Sequence, residues 1–215
     1  MNRELLWRWS FFLIGLLVLG LGIALTIKGK ALGIGPWDVF HYGLFLQFGL
    51  TIGSWSIIMG FILLAITSFA TKSLPKIGAI LNMLLLGLCI DLFNFLLPNP
   101  ETLLVQVIAF ISGVIILGYG IGLYVSADLG AGPRDGVMLL IVEATGWKVT
   151  WVRNGIEILV FLLGWMLGGP VGIGTIIIAF MLGKIISISM PQCQKLLHFF
   201  INKTTVKEHI SFEKN

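Results

Sequence analysis

Six charged side chains stand within or directly beside long apolar stretches: Asp38, Asp91, Asp135, Arg153, Glu157 and Lys184. A charge in such a setting is expensive, and a carboxylate there can carry a proton, hold a cation or pair with a buried Arg or Lys. Arg153 and Glu157 are spaced i, i+4, so they share a helical face and can pair. At about 1.5 Å per residue, Glu157 lies roughly 9 Å into its apolar segment, a depth that Lys184 shares in the antiparallel next one, whereas Asp91 lies roughly 21 Å along its own. Two clusters are therefore expected: an inner one of Asp135, Arg153, Glu157 and Lys184, and an outer one of Asp38 and Asp91 near Lys28 and Lys30. Two readings stand side by side. The clusters are either ion networks that fix helix register, with Lys184 snorkelling to the headgroups, or they include a protonatable Glu157 or Asp91 coupled to solute movement. His41, three residues after Asp38, is placed for a relay or for packing among its aromatic neighbours.

Asp38 and Asp135 also close two copies of one turn. Leu32-Gly33-Ile34-Gly35-Pro36-Trp37-Asp38 recurs 97 positions later as Leu129-Gly130-Ala131-Gly132-Pro133-Arg134-Asp135, each after a long apolar run. Glycine opens backbone angles closed to other residues, proline fixes its own, and an aspartate after them can cap the next helix. Asp38 and Asp135 are thus expected as N-caps. A half-helix that starts inside a membrane also presents oriented N–H donors and a positive dipole end. Gly35, Pro36, Asp38, Gly132, Pro133 and Asp135 are the candidate solute-binding residues. The carboxylates partly cancel that field, which favours a proton, a cation or a polar zwitterion over simple anion capture.

The elements that must position these residues are membrane helices. With 57% hydrophobic and 11% charged residues among 215, and a mean hydropathy of +1.01, the chain lies far from a soluble domain. Hydropathy and loop breakers give six spans, at about 8–28, 51–70, 77–97, 102–126, 151–169 and 171–190. The pieces 38–50 and 135–145 are too short to cross and are expected as re-entrant or interfacial half-helices. Arg3 and Arg8 precede a first span too long for a signal-peptide core, so it is expected to remain attached. Arg3, Arg8, Lys72, Lys76, Arg134, Lys148, Lys195, Lys203, Lys207 and Lys214 fall on one side against Lys28 and Lys30 on the other, which places both termini in the cytoplasm. Three spans per half then make the repeat inverted. The expected layout is a first repeat at 1–98, a second at 99–190 and a short cytoplasmic polar tail at 191–215.

Small residues spaced for close helix packing, Gly118 with Gly122, Gly164 with Gly168 and Ala179 with Gly183, support this all-α reading. Trp7, Trp9 and Trp151 sit near span ends as interfacial anchors. Cys89 and Cys193 have neither metal spacing nor a disulfide pattern. Phosphate-loop, dinucleotide and Ser-His-Asp patterns are absent, so no enzyme, catalytic residue, metal or cofactor is expected.

The two Gly-x-Gly-Pro-x-Asp turns, the stretch Gly169-Pro170-Val171-Gly172-Ile173-Gly174-Thr175 and the Arg153–Glu157 pair resemble the YczE/YyaS/YitT group of bacterial integral membrane proteins over about residues 8–190. The resemblance implies a small multi-span protein of the bacterial cytoplasmic membrane and brings no substrate with it. The longer YitT-like members append a soluble C-terminal domain; from the resemblance, only a short polar tail is expected here. Two functions remain: a secondary transporter or permease for a small polar or ionic solute, or a non-transporting accessory protein of another membrane-associated complex. The expected partners are the lipid bilayer and a small solute or ion, with a second copy or another membrane protein left open and no nucleic acid. A transporter requires a solvated cavity where the two turns converge; an accessory protein would be packed there and present a lateral groove.

Overall fold

The computed structural model describes residues 3–130 and 132–212, with residues 203–212 described by backbone alone. Ala131 of the second turn and the last three residues, Lys214 among them, lie outside the described residues. Eight α-helices follow in order: α1 (Arg3–Lys28), α2 (Pro36–Phe48), α3 (Ile52–Thr71), α4 (Ile77–Leu96), α5 (Leu103–Ser126), α6 (Pro133–Thr145), α7 (Val149–Met166) and α8 (Ile173–Phe212). Among the described residues there is no strand. Six helices, all but α2 and α6, are long and apolar enough to cross a membrane. At 13 residues each, α2 and α6 are roughly 20 Å long and too short to span.

The local chemistry of the ends explains these boundaries. Thr51 caps α3 by accepting from the Ser54 N–H at 3.0 Å, and Thr102 caps α5 from Val105 at 3.4 Å. The starts of α2 and α6 correct the expectation for the aspartates. Gly35 and Gly132 hold the cap positions with extended backbone, Pro36 and Pro133 follow at the first helical position, and neither helix has a side-chain cap. Proline suits that position because its missing N–H would be unpaired there anyway. Asp38 and Asp135 come one residue later than the first two helical positions, within the first turn, and are not spent on capping. Before them Gly33 and Gly130, equivalent in the repeat, take φ of 92° and 141°, where a side chain would be strained.

The two halves meet along α1 and α5, which run antiparallel. Gly15 faces Tyr124, Leu19 faces Gly120, Gly22 faces Leu117 and Thr26 faces Gly113, so glycines from both helices bring the backbones together. At one end Arg8 donates to the Ala127 carbonyl at 3.2 Å. Around this seam equivalent elements make equivalent contacts. Gly20 of α1 rests on Cys89 of α4, and Gly118 of α5 rests on Ile185 of α8. The start of α4 packs Gly78 on the Leu129 carbonyl of the second turn, while the start of α8 packs Gly174 on the Leu32 carbonyl of the first. Likewise α2 lies on α7 through Gly164 and Phe40, and α6 lies on α3 through Gly136 and Thr67.

One correspondence fails. Helices α3 and α4 pack closely, with Ile57 against Gly87 and the Gly87 carbonyl against Gly53. Their counterparts α7 and α8 do not close on each other, and Gly183, the counterpart of Gly87, has nothing within 4 Å of where a Cβ would stand. The Ala179–Gly183 pair expected to pack helices therefore lines open space instead. A second difference lies at the C-terminus. The expected polar tail from residue 191 is a continuation of α8 through Pro191. Cys193 and Leu197 are buried, and Phe200 stacks on Trp7 with ring centroids 4.6 Å apart. These three residues recur at helical spacing, so they give the extension an apolar face that covers the start of α1.

Candidate functional site

The starts of α2 and α6 open into one central cavity of about 690 Å³. All six turn residues singled out from the sequence, Gly35, Pro36, Asp38, Gly132, Pro133 and Asp135, line it. The turns converge through the residues between proline and aspartate: the Arg134 guanidinium lies over the Trp37 ring, 4.4 Å from its centroid. α2 leaves the cavity alongside α7, Gly43 against Gly164 and the Gln47 amide on the Leu167 carbonyl, so its start is the buried end.

The polar lining is incompletely satisfied. Asp38 is 7% exposed, His41 1% and Asn82 5%. His41 Nδ1 and Asn82 Nδ2 are buried without a hydrogen-bond partner, an arrangement that in native interiors calls for an explanation. Arg134 feels the charges and dipoles of Asp38, Tyr124, Asp135 and Glu157. Yet among the described residues the side chains of Asp38, Arg134 and Asp135 make no hydrogen bond or ion pair. Arg153 and Glu157 do pair, Nε to Oε1 at 3.1 Å, and both face the cavity. Five N–H donors on Arg134 and two free carboxylates in one cavity can bind groups of both signs. Among the described residues no three His, Cys, Asp or Glu side chains gather to hold a metal ion.

The two expected clusters are redistributed. Asp38 leaves the outer one, because α2 turns back and buries its start against the second half. Lys184 is exposed on α8, which is not packed on α7, so it makes no pair with Glu157; equal depth along two helices placed them level but not adjacent. Asp91, Lys28 and Lys30 do share a second, more open chamber of about 640 Å³ at the other end of α1. There Lys28 donates to Asn99 at 2.7 Å and Lys30 to the Tyr42 hydroxyl at 2.5 Å. Asp91 accepts from the Thr51 hydroxyl at 2.5 Å and the Gly53 N–H at 2.8 Å, tying α4 to the start of α3.

Arg134, Trp37, Asn82 and Tyr124 were not among the residues singled out from the sequence. Arg134 reads there as one more cytoplasmic cation, although it occupies the variable position of the second turn as Trp37 does that of the first. That pairing of a cation with an aromatic at repeat-equivalent positions was the available signal. Asn82 was detectable as an amide within an apolar span.

Fold and site together define a polytopic α-helical membrane protein with a central cavity, largely apolar in its lining, that contains the charged residues of both turns. The chain belongs to the family described as "Family of unknown function (DUF6198)", whose model matches residues 6–191. It is 53% identical over 205 residues to the "Uncharacterized membrane protein YczE" of Bacillus subtilis (strain 168), covering 95% of each chain. It is 33% identical to an "Uncharacterized protein" of Haemophilus influenzae (strain ATCC 51907 / DSM 11121 / KW20 / Rd), over 95% of this chain and 88% of the relative. A third relative, the "Uncharacterized protein YyaS" of Bacillus subtilis (strain 168), is 30% identical over 89% of this chain and 96% of its own. The resemblance drawn from the turns thus holds, and the chain is YczE-like. No solved structure matches it.

Proposed function

We propose that the protein is a secondary transporter or permease that moves a small polar or ionic solute across a bacterial cytoplasmic membrane, with both termini inside. The observation that carries this reading is the convergence of both turns on one cavity whose buried polar groups lack partners. In this reading the halves are inverted repeats, which the antiparallel run of α1 against α5 and the reciprocal contacts of Gly78 and Gly174 support. The half-helices α2 and α6 enter from opposite faces and set their N-termini at the midplane. Solute enters through the gap between α7 and α8, and α3 with α4 forms the closed counterpart. No catalytic step is part of the function.

The gap between α7 and α8 also favours a second reading. There the helical wall is open beside the cavity, as an accessory protein would need for docking a partner. The two separate in reconstituted liposomes. Purified protein driven by ion gradients is assayed for uptake or charge movement over amino acids, organic amines, organic and inorganic anions and metal cations. Saturable flux of any of them, lost in Asp135→Asn or Glu157→Gln protein that still folds, supports transport. Absence of flux across the panel, with a partner cross-linked at α7 or α8 in native membranes, supports the accessory role.

A further inference from the structure

Resting on the transport reading, we propose that the solute is a small zwitterion of the amino-acid type, its carboxylate held by Arg134 and its ammonium by Asp38 and Asp135. Arg153 and Glu157 pair with each other, which largely offsets one positive and one negative charge. What remains is a guanidinium with no hydrogen bond, flanked by two carboxylates with none, all at the start of the half-helices and within one cavity. A guanidinium presents a planar fork that matches a carboxylate in a bidentate manner. The Trp37 ring holds it from one face and leaves its edge N–H groups free.

One of the two orphaned groups, that of Asn82, matches the same ligand. Asn82 Nδ2 is a donor without an acceptor, and the second turn adjoins it, with Asn82 Oδ1 and Asp135 Oδ2 each 3.6 Å from a Cβ placed at Gly132. A solute carboxylate offers two oxygens with enough lone pairs for Arg134 and Asn82 together. Asp38 and Asp135 have only acceptors to offer and therefore require a donor, which an ammonium supplies with three N–H bonds. A simple anion would leave both aspartates unpaired, Asp38 of them buried, and a simple cation would leave Arg134 and the buried Asn82 unpaired; an unmet polar group is penalised inside a protein. Apolar side chains such as Ile23, Met59 and Leu117 complete the wall and can receive an aliphatic side chain.

The test is binding to the full-length protein in detergent, read by thermal shift and by tryptophan fluorescence. The probes are the twenty L-amino acids and, for each one that binds, the amine lacking its carboxylate and the acid lacking its amine; for L-leucine these are 3-methylbutan-1-amine and 4-methylpentanoic acid. Saturable binding of at least one amino acid is expected, with both truncated partners weaker by about 10- to 100-fold, the range for losing one charge-assisted hydrogen-bond set. Arg134→Gln should abolish the preference for the zwitterion over its amine, and Asp38→Asn should narrow the preference over its acid. Should Arg134→Gln not fold, Arg134→Lys keeps the charge and removes the fork, and weaker zwitterion binding is again expected. An amine or an acid that binds as tightly as its parent amino acid overturns the proposal. Amino-acid silence together with flux of another solute overturns this assignment and leaves transport standing; silence with no flux for any solute overturns both.

Discussion

Replacing Asp91 by Ala removes the acceptor shared by the Thr51 hydroxyl and the Gly53 N–H, the two bonds that tie α4 to the start of α3. Hydrogen bonds to a charged group at a partly buried site suggest a loss of about 1 to 3 kcal/mol. Thermal unfolding in detergent should show a lower midpoint for Asp91→Ala, while the folded fraction keeps its solute binding. Asp38→Asn is expected to do the opposite, keeping or raising the midpoint because a buried unpaired carboxylate is replaced by an uncharged amide, and losing solute-dependent flux. Equal loss of flux in both variants would mean that the two carboxylates are not divided in this way. In the sequence both residues are legible as charges in costly places, but their partners are not. Helical rise gives depth along one axis, which is why Glu157 and Lys184 look adjacent; the direction each helix faces depends on which helices it packs against. For Asp38 even depth was misleading, because the chain after α1 turns back before α2 begins.

At the scale of the helix, glycines separate into those that close a seam and those that leave a space. A Cβ at Gly22 would meet the Leu117 backbone nitrogen at 2.5 Å, and backbone cannot move aside as a side-chain tip can. Gly22→Leu should therefore part α1 from α5 and destabilise the protein by about 1 to 3 kcal/mol or more, seen as a large fall in the thermal midpoint or loss of the monodisperse peak on size exclusion. Gly183→Leu meets nothing within 4 Å and should leave the midpoint nearly unchanged, yet it places a side chain in the cavity wall and should reduce flux. A Gly183→Leu protein as unstable as Gly22→Leu would show that α7 and α8 normally lie in contact. The turn repeat and the six spans are readable because apolar length and the Gly-Pro pairing act locally. The extension of α8 was not, because Pro191 and the polar stretch Gln192, Gln194 and Lys195 interrupt the apolar run, and Trp7, on which Phe200 stacks, lies at the opposite end of the chain.

At the scale of the molecule, the mismatch between α3–α4 and α7–α8 predicts a movement. If the halves are equivalent scaffolds, what one pair of helices does the other can do, and the two arrangements exchange as the cavity opens to one face and then the other. Ile57 packs on Gly87, and the repeat places Asn154 and Gly183 at the corresponding positions of α7 and α8. With Cys89 and Cys193 changed to Ala, cysteines at 57 and 87 should form a disulfide rapidly on oxidation, since a disulfide needs Cα atoms within about 7 Å. Cysteines at 154 and 183 should cross-link more slowly, at the rate at which the second arrangement is visited, and a bound solute should change that rate. Each cross-link should stop net flux, and reduction should restore it, because each holds one arrangement and forbids the exchange. Full flux through protein locked at 57 and 87 would mean that α3 and α4 never part and that solute passes through a static pore. A 154–183 pair that never cross-links would mean that the gap is fixed, which would return it to the accessory reading as a permanent docking surface.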